Sequence, residues 1–474
     1  MTARPTHKRR YRATPTDLEM NVRAIRMLSP PGWRLFSLKE FPIVGAAPKN
    51  YLAFGDPYKP GILAYIAKRG RTSNDARECV TEEIISKIGA SLPLEMAVSK
   101  LARLSGTDVR FLSQNFVTRG QHELLHFIEL VARYFEVNPG EVEAAFDLKD
   151  KQKERHLYTI HNVLLVLRSL YPESYDSLKK GFFKMLVFDA FIGAPDRHAM
   201  NWGVLAPLGV ESEVVRFAPV FDTARGLFRE YSDADLLERE RREGREKFLT
   251  KYADRSKPII CMDQNTKPNH FELIKWILAN PDDMCSDAIR EVLDAVDICR
   301  IEHMLQRHLR RIVTQRRIGF IRDLLSHRNG ANPEGEPTMR EGLLDLIGQA
   351  REWGVNLFRA APSAAAAKEP ALGVYCRTGA DEVLVGRLSR EGEEFVFRYD
   401  PGYTGKTISA FPVRKPEYRS KRLWPFFAVR IPPFDRRDVR EEIEKRSLDE
   451  TQVIEILGLV ATVSVANPYE FRLG

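Results

Sequence analysis

Ile192-Gly193-Ala194-Pro195-Asp196-Arg197-His198-Ala199-Met200-Asn201-Trp202-Gly203-Val204-Leu205 is the stretch on which the reading of this chain turns. Apolar residues at helical spacing from Leu178 to Ile192 run into Gly193-Ala194-Pro195, which stops a helix. Asp196 and Asn201 then stand five apart in a loop that leads into an apolar run. Phosphoryl transfer uses such a pair: a carboxylate orients the attacking hydroxyl and accepts its proton, and an amide oxygen binds Mg²⁺. A second carboxylate is then expected at a following strand end. Phe217-Ala218-Pro219-Val220-Phe221-Asp222 supplies one. Mg²⁺ takes one or two carboxylates together with phosphates and waters, so Asn201 and Asp222 are the candidate metal ligands and Asp196 the candidate base.

The same chemistry requires a cation on the nucleotide phosphates. Lys68 closes the apolar strand Ile62 to Ala67 and fits that role. Its acidic partner is expected on the next helix, around Glu78 to Gly89, where Glu78, Glu82 and Glu83 all qualify by spacing. Before the strand lies a small-residue turn, Val44-Gly45-Ala46-Ala47-Pro48-Lys49, whose backbone amides suit phosphate oxygens.

Composition narrows the class. The chain has 474 residues, 43% hydrophobic and 29% charged, with a net charge of +8. That supports packed cores and argues against global disorder, and the charge is too small for its length to announce a nucleic-acid binder. Five scattered cysteines (Cys79, Cys261, Cys285, Cys299, Cys376) show no CxxC spacing, so a disulfide scaffold or zinc site is not expected. The absence of a long uncharged apolar run or a signal-peptide pattern points to a cytoplasmic protein.

The chain divides by composition. Residues 1–30 form a basic tail, residues 31–118 a small β-rich lobe and residues 119–328 a large helical lobe. Residues 329–370 read as a linker with an amphipathic helix, and residues 371–474 as a small α+β domain. Ala288 to Leu325 reads as one long helix or two, with an arginine-rich face that solvent would cover.

At these residues the sequence resembles the HipA-like serine/threonine kinases. Asp196-Arg197-His198-Ala199-Met200-Asn201 matches the family's catalytic loop, and Pro219-Val220-Phe221-Asp222 its metal-binding strand end. Gly45-Ala46-Ala47-Pro48-Lys49 is similar to its phosphate-binding turn, and Lys68 to its strand lysine. The family's helix glutamate, eleven residues before a glycine, corresponds to Glu78 before Gly89. The resemblance implies an α+β, bilobal protein-kinase-like fold. It implies ATP and Mg²⁺ as cofactors, with Asp196, Lys68 and Glu78 as catalytic residues and Asn201 and Asp222 on the metal. The nucleotide would touch Val44, Gly45, Ala46, Ala47, Lys49, Lys68, His198, Asn201 and Phe221, with Gln114 and Phe116 at an adenine-holding hinge. Val385-Gly386-Arg387-Leu388, Phe395 to Asp400 and Leu423 to Phe427 look like the small domain that precedes the kinase core in that family. Here it follows the core, so the order is permuted. The implied partners are a Ser/Thr protein substrate and a separate small helix-turn-helix antitoxin of the HipB type. Two other readings stay open: a phosphatidylinositol-kinase-like lipid kinase, in which Asp-Phe-Gly replaces Phe221-Asp222-Thr223, and a catalytically silent nucleotide-binding pseudokinase.

Overall fold

In the computed structural model the apolar run expected as a strand at Ile62 to Ala67 joins others in a sheet. The structure describes residues 20–474 except 29–31, 38–39, 42, 44–48, 60, 71–75, 136–157, 209–213, 263–264, 266, 280–282, 330–370, 379–380, 406, 409–410, 412–414, 416, 422, 432–436 and 449–451. The N-terminal part of the basic tail, most of the turn expected to bind phosphates and nearly all of the linker therefore lie outside the described residues.

The fold is bilobal and protein-kinase-like. In the small lobe, β1 (Trp33–Phe36), β2 (Lys49–Phe54), β3 (Ala64–Lys68), β4 (Ser99–Arg103) and β5 (Val109–Gln114) form one sheet in the order β1-β2-β3-β5-β4. All its pairs are antiparallel. Helix α1 (Arg77–Gly89) packs on β4 and β5 through Val80, Ile84, Ile85 and Ile88, all at most 1% exposed. Side chains two apart on a strand share a face. Lys49, Tyr51 and Ala53 of β2 therefore line up with Lys68, Ile66 and Ala64 of β3, to which they are paired.

The large lobe is built around α4 (Tyr175–Ile192), which follows α3 (Ile160–Leu170) and whose residues Met185 to Ile192 are all buried. A helix apolar on nearly every side belongs in the middle of a core, and this one touches the helices on several sides. Gly193 ends it at φ 67°, a left-handed conformation that costs a side chain but not glycine. An added Cβ there would also lie 2.7 Å from Arg328 Nη2. The chain thus leaves α4 sharply into the loop of residues 194–202. A three-stranded sheet, β6 (His122–His126), β7 (Gly203–Pro207) and β8 (Arg216–Phe217), carries that loop's far end. The region read as mostly helical thus contains a small sheet.

Ala288 to Leu325 is neither one helix nor two: it spans Asp283–Asp294, Ile298–Leu309 and Gln315–Asn329. The Asp297 side chain accepts from the Arg300 N–H (2.8 Å) and caps the second of these. The stripe of arginines is not uniformly solvated. Arg317 is fully buried and bound to Asp233 at 2.5 Å.

The C-terminal domain has its own sheet, ordered β12 (Tyr418–Ser420), β11 (Glu394–Tyr399), β10 (Asp381–Glu391), β9 (Leu372–Thr378) and β13 (Tyr469–Leu473). Its separate core includes Val374, Val385, Phe397, Phe411 and Phe427. It docks on both lobes. The Leu124 N–H of β6 donates to Ala466 O (2.8 Å), and Val463 joins the small-lobe cluster of Phe36, Phe41 and Tyr51. Pro425–Ala428 contacts α2 (Phe127–Phe135).

At that junction Glu129 accepts from the His126 N–H (3.1 Å). Burial, with Glu123 nearby, pushes its carboxyl up from 4.5 to about 8, and Arg430 only partly offsets this. The folded chain then holds a proton that the unfolded chain releases, so this group's contribution to stability falls as pH rises from about 4.5 to about 8. Glu129→Gln is expected to flatten that slope and to raise the urea midpoint at pH 8 relative to the unmodified chain. Unfolding curves collected between pH 6 and 8.5 check it.

Candidate active site

The Gly193 turn releases residues 194–202 as a loop, and Arg197 fixes it. Its guanidinium holds Asp189 of α4 in a two-pronged pair, Nε to Oδ2 at 2.8 Å and Nη2 to Oδ1 at 2.7 Å. Both side chains are about 3% exposed. Nη1 donates to the carbonyls of Asn201 (3.0 Å) and Phe221 (2.8 Å). One buried cation therefore ties the helix, the loop and the strand end before Asp222 together. Within the loop, Asn201 Nδ2 donates to Asp196 O (2.7 Å). His198 Nδ1 accepts from the Met200 N–H (3.3 Å), and burial lowers its pKa, so the imidazole is a neutral loop brace.

Asp222 takes a left-handed backbone conformation, φ 52°, which an aspartate tolerates better than most side chains. Its Oδ1 lies 3.1 Å from Lys68 Nζ and its Oδ2 3.1 Å from Lys49 Nζ. Burial opposes the ionised carboxylate, yet the two ammonium groups outweigh it and hold its pKa well below the usual range. For Lys68, burial is likewise outweighed by Asp222 and Glu82, and its pKa is raised. For Lys49 burial prevails and lowers it.

The acidic partner of Lys68 is Glu82, at 2.5 Å and 3% exposed. This corrects the expectation of Glu78, which sits one turn earlier on α1 and pairs with Arg229 at 3.2 Å. Spacing left Glu78, Glu82 and Glu83 open on this helix, and it is the family resemblance that pointed to Glu78, one turn before the residue that meets Lys68. Asp196 Oδ2 pairs with Arg225 Nε at 2.8 Å, a contact that sequence reading did not raise. Arg225 follows Asp222 by three residues, so only the fold of that turn brings it back to the loop.

Gln114 and Phe116 lie where β5 leaves the small lobe, and the Asn115 N–H between them donates to Ala64 O (2.9 Å). The Phe116 ring is 5.7 Å from Phe221, which also meets His126 edge-on at 5.8 Å. Val44, Gly45, Ala46 and Ala47 fall outside the described residues. Among the described residues no cluster of three or more His, Cys, Asp or Glu side chains forms a metal cage. Mg²⁺ does not need one: a carboxylate, an amide oxygen, phosphates and waters suffice, and each Asp222 oxygen keeps a further lone pair beside its lysine. By donor chemistry, Asp222 and Asn201 are the residues that could hold such an ion.

Residues 41–297, more than half of the chain, match the family model of the HipA-like C-terminal domain. The chain belongs to the HipA-like kinase family. Residues 377–463 match the HipA N-terminal domain, here placed after the core. Among solved structures, the Helicobacter pylori proinflammatory kinase CtkA is similar at 18% identity, with a TM-score of 0.50 over 66% of this chain and 95% of CtkA. HipA of the Shewanella oneidensis MR-1 toxin–antitoxin system, solved with HipB and its operator DNA, is 11% identical, with a TM-score of 0.35 over 68% of this chain and 75% of that one. No curated protein matches the chain. The likeness to CtkA speaks for the fold. No helix among the described residues is long and apolar enough to cross a membrane.

Removing Arg197 leaves Asp189 buried and unpaired, so Arg197→Met is expected to cost about 3–5 kcal/mol of stability. Denaturant unfolding of the two proteins at equal pH measures this.

Proposed function

We propose that this HipA-like chain is an ATP- and Mg²⁺-dependent protein kinase that phosphorylates a serine or threonine hydroxyl. The observation that carries the reading is Lys68, held between Glu82 on α1 and Asp222 after the loop, with Arg197 binding the loop of Asp196 to the carbonyl before Asp222.

Asp196 orients the acceptor hydroxyl and takes its proton. The acceptor oxygen bonds to the γ-phosphorus, the bond from that phosphorus to the bridging oxygen breaks, and ADP departs with the electron pair. Because Arg225 engages Oδ2 of Asp196, Oδ1 is the oxygen that receives the proton. Lys68 and Lys49 hold the phosphates by charge, and Glu82 keeps Lys68 extended toward them. A bound Mg²⁺ neutralises charge on the phosphates, and Asp222 and Asn201 are the residues that would hold it. Gln114 and Phe116 support the base, and Phe221 and His198 shape the floor. Family membership is what supports a HipB-like partner, which co-purification from the native host would test.

Transfer of ³²P from Mg-ATP should occur to protein acceptors, or to the chain itself, and not to phosphatidylinositol. Asp196→Asn and Asp222→Asn should each lower it at least ~100-fold, with thermal unfolding of Asp196→Asn staying within a few degrees. Labelling of lipid alone would favour a lipid kinase, and ATP binding without any transfer a pseudokinase.

Loss of a charge-assisted hydrogen bond costs about 1.5–3 kcal/mol, so Glu82→Gln should lower kcat/KM roughly 10- to 100-fold. Glu78→Gln should change it far less. The opposite ranking would return the partner role to Glu78.

A further inference from the structure

The register of β2 and β3 orders the roof of the cleft. Lys49 and Lys68 are directly paired, next come Tyr51 with Ile66, then Ala53 with Ala64. All six project from one face, and two strand residues advance about 7 Å, so Tyr51 lies about 7 Å and Ala53 about 14 Å beyond the phosphate-binding amines along the sheet. Ala53 and Ala64 themselves are buried under Phe41, Tyr51 and Val463. At that end lies a cavity of about 230 Å³ lined by Tyr51 and Ile62 from the small sheet, Asn115 and Phe116 from the hinge, and Val465 and Asn467 from the C-terminal domain. Pockets for a whole drug-sized ligand run to about 300–1,000 Å³, so this one suits a part of a nucleotide rather than all of it. Its lining of aromatic rings and side-chain amides suits a flat, hydrogen-bonding heterocycle.

The wall from the C-terminal domain is not loosely placed. Arg119, just past the hinge, donates to Ser464 O (3.3 Å) and pairs with Glu470 at 2.9 Å, its side chain only 11% exposed. Arg430 holds the next part of the wall, donating to Tyr469 O (2.9 Å) and to the Asn467 side chain. The β6 amide of Leu124 fixes Ala466 between these two anchors.

We infer that residues 464–467 of the C-terminal domain form the outer wall of the pocket that takes the nucleotide base, so that this domain is a working part of the nucleotide site. The inference rests on the kinase reading above. It follows that base binding and domain docking reinforce each other, and that the wall discriminates among bases while leaving phosphate contacts alone.

Titration calorimetry of the full-length chain with Mg-ATP and, separately, with Mg-tripolyphosphate, which lacks a base, tests this. Val465→Trp, which fills the cavity from the domain side, should weaken Mg-ATP at least tenfold and leave tripolyphosphate binding unchanged. Hydrogen exchange of the unmodified chain supplies a readout that does not depend on the variant folding. Mg-ATP should slow exchange in the peptide covering 464–469, and tripolyphosphate should not. Unchanged ATP affinity in a folded Val465→Trp, or unprotected 464–469 in a chain that binds ATP, overturns the inference. An unmodified chain that binds no Mg-ATP overturns the kinase reading as well, and that result is distinguishable from the first two.

Discussion

Asp222 stands where three constraints meet. Arg197 pins the carbonyl of the residue before it, a left-handed backbone turns its side chain back, and the ammonium groups of Lys49 and Lys68 take one oxygen each. Both lysines come from the small sheet, whereas the loop and the strand end belong to the large lobe. The carboxylate is therefore one point at which the lobes are joined by charge, and the place of both lysines relative to the loop follows from it. Were the backbone before Asp222 free to shift, the two lysines would face a group of uncertain place, and their separation from Asp196 would no longer be fixed.

A cluster of two buried ammonium groups with two carboxylates is a poor way to gain stability. Desolvating four charges costs several kcal/mol per ion, and an apolar set of similar volume would often do as well or better. What such a cluster supplies is a set of directed, charge-bearing groups that cannot relax, because each would lose its partner on moving. Arg197 with Asp189 repeats the logic one layer deeper, where its sole output is geometry. The left-handed Asp222 belongs to the same pattern, since backbone strain of about 1–3 kcal/mol persists only where the surroundings over-determine it.

The loop of residues 194–202 and the strand end at Asp222 were legible because they are written in contiguous residues, with Gly193 and Pro195 marking where the helix must end. The chain order of strand lysine, acidic helix and loop was legible for the same reason. The choice between Glu78 and Glu82 was not. The two are four residues apart, so they share a helix face, and only the height of α1 along β3 decides which meets Lys68. That height is set by α1 packing on β4 and β5, far from either residue in sequence. Arg225 against Asp196, and Arg317 buried beneath an apparently solvated arginine stripe, escaped for a related reason: a charged residue's partner is a tertiary fact. The strand His122–His126 was hidden because its neighbours in the sheet come about eighty residues later.

The permuted order of domains costs the fold little. The C-terminal domain has its own core of Val374, Phe397, Phe411 and Phe427, so it does not depend on its neighbours to bury apolar surface. The entropic cost of tethering grows only with the logarithm of the connection, about 0.6 kcal/mol for each doubling, so residues 330–370 can join the domain from either end of the core at similar expense. What cannot be permuted is the contact itself. The Leu124 amide on Ala466 and the Arg119 pair with Glu470 specify one docked orientation beside the hinge, and a domain arriving from the other terminus would have to meet the same two groups. Connectivity is thus under weak physical constraint while the docked geometry is under a strong one.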